Sequence, residues 1–490
     1  MKKAGWLLPI LLTLSGCATF GSGHDGNMTL SQALTSVGAA PSLAGASMGV
    51  IVRDASSGKV LYQTHSDQRM VPASNMKLLT SVAAFGILGP DYRFETRLLT
   101  TGRQHSDRLE GDIYLQGSGD PTLQPADLDA LAAQLAKQGI RHIYGQLLTD
   151  DSAFDNVPFG QGWSWDDELF AFSAPVSALN YTLNLPAGDI NVVRVDVSPG
   201  ASRTSPGIIN VNPVTDAVTV INSTTTGDAT ALSFNRRPGS NQIVVNGTIA
   251  ANSKTYSRQL TVSDPAQVVG ALFYAALQRH GIEAKGGVNR AAAPEGAVEL
   301  ARKTSAPLSE LALTFLKLSN NGYGEILTKA MGRQAQGTGS WHTGLQAIQQ
   351  YLSQQGINTD ALRQVDGSGL SRMNLITPEQ LTSVLLVARK QPWFKVWHNA
   401  LPVAGEPELL EGGTLRNRMN NTPAAGRAYA KTGSLTGVSS ISGYVNSATG
   451  RPLVFSIITN NYLVPGSQIK ALEDKMVVTL ASCDATVVCR

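Results

Sequence analysis

Hydrophobic and polar positions in the first part of the chain predict a short helix, a β-hairpin and an apolar helix. Residues 30–37 are amphipathic with a helical period. Residues 47–53 and 59–63 are predicted as two strands joined by a turn of small polar residues. After Pro72, apolar residues dominate the segment 74–85, which predicts an apolar helix.

The middle of the chain changes character twice. Residues 94–115 predict strands, and residues 125–139 predict a helix with one apolar face. One strand is expected over 143–149. Between 189 and 263, Val, Ile, Thr, Asn and Ser dominate between Gly and Pro turns, which is typical of a small all-β unit. A helix is predicted over 266–280.

The last third of the chain returns to a mixed α/β pattern. Helices are predicted over 307–315, 324–333, 344–355, 377–387 and 469–481. Strands are predicted over 429–433, 440–445 and 453–460. The simplest arrangement joins the first hairpin and helix to this last third. Residues 90–304 are then an insertion, with the β-rich part nested inside it.

The composition fits a folded protein of several domains. Of the 490 residues, 42% are hydrophobic and 15% are charged, which argues against a disordered chain. At about 100–200 residues per domain, two to four domains are expected. The net charge of +3, from 39 basic and 36 acidic residues, gives no indication of nucleic-acid binding. Beyond the first residues, no apolar run reaches the roughly 20 residues that span a bilayer.

The start of the chain is typical of a bacterial lipoprotein. A basic start and an apolar stretch predict a signal peptide over 1–16. The segment Leu14-Ser15-Gly16-Cys17 is similar to a lipobox, so we expect a lipid on Cys17 and a polar tether over 17–28. An ordinary signal peptide with an incidental cysteine is the alternative. The expected location is the periplasm, and Ala18 favours outer-membrane sorting if the source is Gram-negative.

Metal and cofactor chemistry finds no support in the sequence. The 7 histidines never lie three or four residues apart, and no cysteine pair has the spacing of zinc ligands. No glycine-rich phosphate loop follows a predicted strand, so we expect neither a metal nor a cofactor. Cys483 and Cys489 lie close together, and an oxidising periplasm favours a disulfide between them. A pair of free thiols is the alternative.

Ser74 and Lys77 offer nucleophilic chemistry. They are three residues apart on a predicted helix, which places both side chains on one face. An amine whose pKa is lowered by burial or by a nearby cation can take the proton of a hydroxyl. The helix N-terminus would stabilise negative charge that develops at Ser74. The spacing alone is a weak signal, because two other pairs in the chain share it, Ser56 with Lys59 and Ser467 with Lys470.

Two further motifs strengthen this signal. Ser319-Asn320-Asn321 offers a hydroxyl for a proton relay and an amide for a substrate, although the triplet also fits a helix cap. Lys431-Thr432-Gly433-Ser434 lies on a predicted strand, where a cation, a hydroxyl and a glycine can line a groove for a carboxylate. An ordinary edge-strand lysine is the alternative. Asp366-Gly367-Ser368-Gly369 is predicted to be a flexible turn. The order Ser-x-x-Lys, Ser-x-Asn, Lys-Thr-Gly is the signature of penicillin-recognising serine acyl enzymes.

The chain resembles the class C low-molecular-mass penicillin-binding proteins, which are D-alanyl-D-alanine carboxypeptidases and endopeptidases. The resemblance covers most of residues 30–465, and more than 240 residues separate Lys77 from Ser319, as in this family with its large insertion. The segments that carry it are Pro72–Lys77, Leu88–Phe94, Gly119–Leu123, Gly162–Asp167, Phe172–Pro175, Asp366–Arg372 and Lys431–Val438.

The resemblance implies a multidomain α+β fold. Its core is a penicillin-recognising serine transpeptidase/β-lactamase-like α/β domain, with an inserted second domain and a nested β-rich third domain. This matches the insertion indicated by the pattern of the chain. The expected ranges are 29–90 and 305–490 for the catalytic domain, 91–183 and 264–304 for the second, and 184–263 for the third.

The resemblance also implies a two-step acyl transfer. The implied roles are nucleophile for Ser74, base for Lys77, proton relay for Ser319, acyl-side binding for Asn321, and carboxylate binding for Lys431 and Thr432, with Gly433 lining the groove. Backbone N–H groups of Ser74 and Ser434 would form the oxyanion hole. For a diaminopimelate side chain, Asp167 would meet the amine, Phe172 the stem and Arg372 a carboxylate. The alternatives for these three are a surface carboxylate, a core aromatic and a loop cation.

The implied partners are peptidoglycan stem peptides as substrates and β-lactams as covalent inhibitors, with no nucleic acid and with membrane contact only through Cys17. The sequence decides neither between a monomer and a homodimer nor between carboxypeptidase and endopeptidase activity. A serine β-lactamase is the alternative function. Class C β-lactamases usually carry Tyr-x-Asn where this chain has Ser319-Asn320-Asn321, and they lack the insertion. An inactive lipoprotein scaffold is a third hypothesis, and the complete set of motif residues argues against it.

Overall fold

The computed structural model describes residues 28–183, 185, 188–484 and 488–489. The predicted signal peptide, the lipidation site Cys17 and nearly all of the predicted tether lie outside these residues. Within the described part of the chain, no helix has both the length and the apolar character needed to cross a membrane.

A five-stranded antiparallel sheet brings together the two ends of the chain. Its strands, in spatial order, are Ala428–Leu435, Val438–Asn446, Pro452–Asn460, Ser47–Asp54 and Val60–Thr64. Val50 lies opposite Ile457 in the register between the fourth and third strands. The predicted hairpin and the three predicted strands of the last third are therefore confirmed. The strand that carries the Lys-Thr-Gly motif is at one edge of the sheet.

Helices pack on this sheet or on one another around it, and most follow the predicted apolar periodicity. They are Leu30–Gly38, Met76–Ile87, Leu308–Ala312, Asn321–Gln336, Trp341–Gln354, Pro378–Arg389, Phe394–Asn399, Leu409–Gly412 and Gly466–Ser482. We call Met76–Ile87 the central helix, because its first ten residues are buried and it packs against three neighbouring helices. A single π-helical turn, Leu313–Lys317, leads towards Ser319.

The inserted segment forms two mixed sheets and two helices. The larger sheet has the order Val288–Arg290, Leu147–Asp150, Ile113–Gly117, Glu95–Thr100 and Val298–Thr304. The smaller has the order Glu283–Ala284, His142–Ile143, Arg108–Glu110 and Arg103–His105, and the helices are Pro125–Lys137 and Pro265–Arg279. The single strand predicted over 143–149 is wrong, because the chain divides there between the two sheets. Gly145 permits the break, since a Cβ there would lie 2.2 Å from the Gly111 oxygen.

The nested part is all-β, as predicted. One three-stranded sheet has the order Ile208–Asn212, Val192–Ser198 and Tyr256–Thr261, and the other has the order Thr219–Gly227, Gln242–Ala250 and Ala231–Arg236. We call residues 192–261 the nested β unit. Near the C-terminal end of the chain, the backbone of Cys483 pairs with that of Cys489 in a short antiparallel ladder, and Cys483 is disulfide-bonded.

Three large hydrophobic cores of the described residues underlie this mixed α/β multidomain fold. One lies around the central helix, one within the inserted segment and nested β unit, and one between the five-stranded sheet and the helices Leu30–Gly38 and Gly466–Ser482. Seven described residues of the insertion nevertheless pack into the core of the central helix, and Phe94, Phe154 and Ile190 are the largest of them. The insertion is therefore packed firmly against the part of the molecule that carries the motifs. The exact domain boundaries stay a prediction.

Candidate active site

Ser74 lies on a 3₁₀ turn, Ala73–Asn75, immediately before the central helix. The helix predicted over 74–85 is therefore confirmed from Met76 onwards, and its first two predicted residues, Ser74 and Asn75, lie on the 3₁₀ turn instead. Ala73 has a φ of 48°, an uncommon value for a residue with a Cβ atom. The loop opposite approaches this turn so closely that a Cβ on Gly369 would lie 1.9 Å from the Ala73 oxygen. The tight turn presents the Ser74 side chain at the mouth of a cleft.

Lys77 lies directly beneath Ser74. Its Nζ donates to Ser74 Oγ at 2.9 Å, to Asn321 Oδ1 at 2.7 Å and to the Ser368 carbonyl oxygen at 2.8 Å. The side chain is completely buried. Burial lowers the pKa of Lys77 to about 7, because the charged form loses its hydration, while Glu325 acts in the opposite direction. A large fraction of Lys77 is thus neutral near neutral pH and able to accept a proton.

Two buried carboxyl groups hold the loop that contacts Lys77. Glu325 accepts hydrogen bonds from the backbone N–H groups of Gly367 and Ser368, both at 2.8 Å, and from Trp341 Nε1 at 2.8 Å. Burial raises the pKa of Glu325, with a further contribution from Asp366. Because the Ser368 carbonyl binds Lys77, Glu325 positions one of the three acceptors of the lysine.

Asp366 fixes the same loop from within. It accepts from the backbone N–H groups of Gly369 at 2.8 Å and Ser371 at 2.6 Å, and from Trp163 Nε1 at 3.1 Å. Asp366 and Ser368 are fully buried. The prediction of a flexible turn over 366–369 is therefore wrong: the glycines serve close packing, and the carboxylate satisfies the N–H groups of the turn.

In the Ser-x-Asn motif, the middle residue caps a helix, and the outer two residues each contact a lysine. Asn320 caps the helix Asn321–Gln336, accepting from the Tyr323 N–H at 3.4 Å. The helix-cap interpretation is thus correct for the middle residue. Asn321 uses its Oδ1 for Lys77 and donates through Nδ2 to the Phe172 carbonyl at 2.8 Å. Ser319, with a φ of 60°, accepts from Lys431.

Lys431 forms the second cationic position, and it is buried like Lys77. Its Nζ donates to Ser319 Oγ at 2.7 Å and to the Thr432 carbonyl at 2.7 Å. Burial, followed by the nearby charge of Lys77, lowers the pKa of Lys431 well below its usual value. The alternative of an ordinary edge-strand lysine is wrong, because the cation lies inside the molecule between two of the motifs. Thr432 donates to Thr414 Oγ1 at 2.8 Å.

Gly433 allows the edge strand to lie against the turn of Ser74. A Cβ at this position would be 2.4 Å from Ser440 Oγ, 2.7 Å from the Pro72 oxygen and 2.9 Å from the Ser74 nitrogen. Ser440 ties the same place together by donating to the Pro72 carbonyl at 2.6 Å. A side chain on residue 433 would therefore separate the strand from the nucleophile turn.

The three motifs meet beneath a cleft of about 490 Å³. Its lining includes Ser74, Asn321, Ser434 and the three residues predicted to contact a substrate side chain, Asp167, Phe172 and Arg372. Burial, followed by the neighbouring charge of Asp166, raises the pKa of Asp167, whereas Arg372 acts to lower it. Arg372 donates to the Thr436 carbonyl at 2.5 Å. Phe172 is 45% exposed, so it is not a core aromatic.

The family assignment follows from comparison with known proteins. The model of the D-Ala-D-Ala carboxypeptidase 3 (S13) family matches residues 30–483. The chain belongs to this family. A D-alanyl-D-alanine carboxypeptidase from Actinomadura sp. (strain R39) is 39% identical over 447 residues, which cover 90% of this chain and 82% of the relative. The D-alanyl-D-alanine carboxypeptidase DacB of Haemophilus influenzae is 28% identical over 424 residues, which cover 85% of this chain and 86% of that relative.

Solved structures agree with the S13 assignment. The crystal structure of penicillin binding protein 4 (dacB) from Haemophilus influenzae superposes with a TM-score of 0.79 at 28% identity, covering 89% of this chain and 96% of that one. A second structure of that protein, complexed with a β-lactam, has a TM-score of 0.74 at 27% identity, covering 88% of this chain and 95% of that one. The predicted resemblance to the low-molecular-mass penicillin-binding proteins is thereby confirmed.

Sequence reasoning missed two residues of this S13 site, Glu325 and the Asp366 carboxylate. Glu325 follows Asn321 by four residues and so shares its helix face, which was the one available signal. Within the described residues, no group of three or more His, Cys, Asp or Glu side chains is arranged to hold a metal ion. The assigned roles of the motif residues stay predictions, as does the Cys483–Cys489 pairing.

Proposed function

We propose that this chain is a serine D-alanyl-D-alanine carboxypeptidase of the penicillin-binding type, which works through an acyl-enzyme on Ser74. The observation that carries the proposal is the 2.9 Å contact between Lys77 Nζ and Ser74 Oγ, at a buried amine whose pKa is about 7. Such an amine is matched to a general base that operates near neutral pH.

In acylation, the neutral Lys77 amine takes the Ser74 hydroxyl proton while Oγ attacks the carbonyl carbon of the penultimate D-alanine. The C–N bond then breaks, and the leaving amine of the terminal D-alanine receives a proton. Ser319 supports a relay of this proton, since its hydroxyl lies 2.7 Å from Lys431 Nζ. Water next attacks the ester, which releases the shortened peptide and restores the Ser74 hydroxyl.

The edge strand supplies the remaining functions in this proposal. Gly433 lies against the Ser74 nitrogen, and this approach supports an oxyanion hole made by the N–H groups of Ser74 and Ser434. The Lys431 ammonium and the Thr432 hydroxyl would bind the terminal carboxylate of the substrate. The Asn321 amide, oriented by its hydrogen bonds to Lys77 and Phe172, would hold the acyl side.

We extend the proposal to DD-endopeptidase activity, because the same acyl-enzyme forms when the leaving amine belongs to a diaminopimelate crosslink. β-Lactams would acylate Ser74 covalently, and the β-lactam complex of the Haemophilus influenzae protein supports this part. The substrate is peptidoglycan, so we place the enzyme in the periplasm. The Leu14-Ser15-Gly16-Cys17 segment supports a lipid anchor there.

Digestion of purified sacculi tests the proposal. Wild-type protein should release D-alanine from pentapeptide muropeptides, and the Ser74→Ala variant, checked for folding by circular dichroism, should release none. Loss of crosslinked dimers would establish endopeptidase activity. Fluorescent penicillin should label wild type for many minutes and should not label Ser74→Ala. Rapid penicillin turnover without D-alanine release would instead favour a β-lactamase.

A further inference from the structure

A second cavity lies next to the catalytic cleft, between the segment 165–170 and the nested β unit. Its volume is about 330 Å³. Asp166 lines both this cavity and the catalytic cleft. The two spaces are therefore separated only by the short 3₁₀ turn Trp165–Asp167 and the residues that follow it. We call the second space the side groove.

Aromatic side chains form the wall between the two spaces. Phe170 and Phe172 stack with a ring separation of 5.6 Å and an interplanar angle of 6°. Phe172 lines the catalytic cleft and Phe170 lines the side groove. Trp165, also in the side groove, is 88% exposed. An indole this exposed beside a cavity has no role in the core and offers a flat apolar surface to a ligand.

Two arginines line the side groove, Arg236 and Arg258. Among the described residues, no carboxylate forms an ion pair with Arg258. Its guanidinium lies 5.1 Å from the Phe170 ring and 5.4 Å from the Phe234 ring. No hydrogen bond or ion pair from this side chain occurs within the described part of the chain. By contrast, Arg236 is paired with Glu168 at 3.2 Å. The two rings hold the Arg258 guanidinium in place, and its N–H groups remain available to bind an anion.

Hydrogen bonds fix the wall of the side groove to the nested β unit on one side and to the catalytic part of the molecule on the other. On the side of the nested β unit, Thr261 Oγ1 donates to the Glu168 carbonyl at 2.6 Å, and the Thr261 N–H donates to the Leu169 carbonyl at 3.2 Å. On the catalytic side, Trp163 is bound to Asp366 at 3.1 Å. The segment between the cleft and the groove is thus fixed at both ends, and a chain that leaves the cleft meets a preformed surface.

We propose that the side groove is a second substrate subsite, which binds the distal part of a peptidoglycan stem together with its sugar. Arg258 would bind a free carboxylate of the stem peptide, and Trp165 would stack on the face of a sugar ring. This inference rests on the proposed function for its substrate. The two spaces meet at Asp166, and the unpaired Arg258 and the exposed Trp165 support binding there. The subsite also gives the nested β unit a role in substrate selection.

Calorimetric binding to the inactive Ser74→Ala protein tests the subsite without turnover. The probes are a disaccharide-pentapeptide, the same pentapeptide without sugar, and the short peptide N-acetyl-D-Ala-D-Ala. Adding Arg258→Gln should weaken binding of both long probes by about tenfold, because the variant loses a charge-assisted hydrogen bond to the stem carboxylate. Adding Trp165→Ala should weaken only the sugar-bearing probe, and Trp165→Phe should restore most of that loss. Neither change should affect the short peptide by more than about twofold.

Arg237→Gln is the matched control, because Arg237 is an exposed arginine of the same β unit that does not line the side groove. It should leave all three affinities unchanged. The inference is overturned if Arg258→Gln and Arg237→Gln behave alike, or if the three probes lose affinity equally. A side groove that serves a protein partner would give that first result. Failure of the proposed function would look different: wild type would release no D-alanine, whatever the probes report.

Discussion

The floor of the catalytic cleft and its outer wall are built in opposite ways. Beneath Ser74, the ionisable side chains of Lys77 and Glu325 are completely buried, and each makes three hydrogen bonds. On the wall, Phe172 is 45% and Trp165 is 88% exposed. The floor therefore sets protonation and orientation through desolvation, whereas the wall offers surface on which different substrates can be selected. The comparison predicts large effects of substitution in the floor and small, substrate-dependent effects on the wall.

The largest effect is expected for Lys77→Met, which removes the base but keeps an unbranched side chain of similar length. Acylation should slow by about 10²–10⁴-fold, the contribution typical of a positioned general base. Stopped-flow measurement of penicillin acylation checks this, with thermal unfolding as the control for folding. An acylation rate within tenfold of wild type would show that Lys77 is not the base. The buried residues beneath Ser74 would then have a structural role only.

The second effect tests whether the close approach of strand and turn matters. Gly433→Ala places a Cβ 2.7 Å from the Pro72 oxygen and 2.9 Å from the Ser74 nitrogen, so the backbone must move. Because inserting a carbon into a packed site typically costs about 1–3 kcal/mol, we expect acylation about 10–100-fold slower and a lower unfolding midpoint. Gly227→Ala is the matched control, since its nearest neighbours are 3.6 Å away. Equal behaviour of the two variants would contradict the argument.

The third effect concerns the pH dependence of the floor. Lys77 acts in its neutral form, so kcat/KM should rise as pH increases through about 7 and then level off. Glu325 raises the pKa of Lys77, and Glu325→Gln should therefore move this rise to lower pH. The variant should also be less stable by about 1–3 kcal/mol, because the glutamine NH₂ would face a buried N–H donor. A pH profile identical to that of wild type would show that Glu325 does not influence the pKa of Lys77.

The sequence predicted the motif residues because their chemistry depends on short, fixed spacings. Ser74 and Lys77 are three residues apart, so local geometry alone brings this pair together, whereas Ser319 and Asn321 are two apart and contact different lysines. What gathers the three motifs is the five-stranded sheet, in which strands from the two ends of the chain are neighbours. The pattern of the chain indicated that the first hairpin joins the last third, but the pairing of distant strands cannot be read from local patterns. The resemblance to a family therefore supplied the meeting of the three motifs in one cleft.

The elements that sequence reasoning missed depend on contacts across the fold. A glutamate on a helix normally faces solvent, and Glu325 can be buried because Trp341 and the turn at 367–368 donate hydrogen bonds to it. The strand Glu283–Ala284 has two residues and no period to detect. Similarly, the break at Gly145 arises from a neighbour more than thirty residues away, Gly111. In each case a distant partner determines the local structure.

The smallest effect sharpens the contrast between floor and wall. Asp167 is a half-buried carboxylate that lines the cleft, with Asp166 and Arg372 as charged neighbours. If it meets the amine of a substrate side chain, Asp167→Asn should lower kcat/KM about 2–5-fold for a peptide with a free side-chain amine, since a solvent-screened ion pair contributes at most about 1 kcal/mol. The same peptide with that amine acetylated should be cleaved equally by both proteins, and the rate of penicillin acylation should not change. An equal loss on both peptides would mean that Asp167 only shapes the cleft, and the wall would then select substrates by another residue.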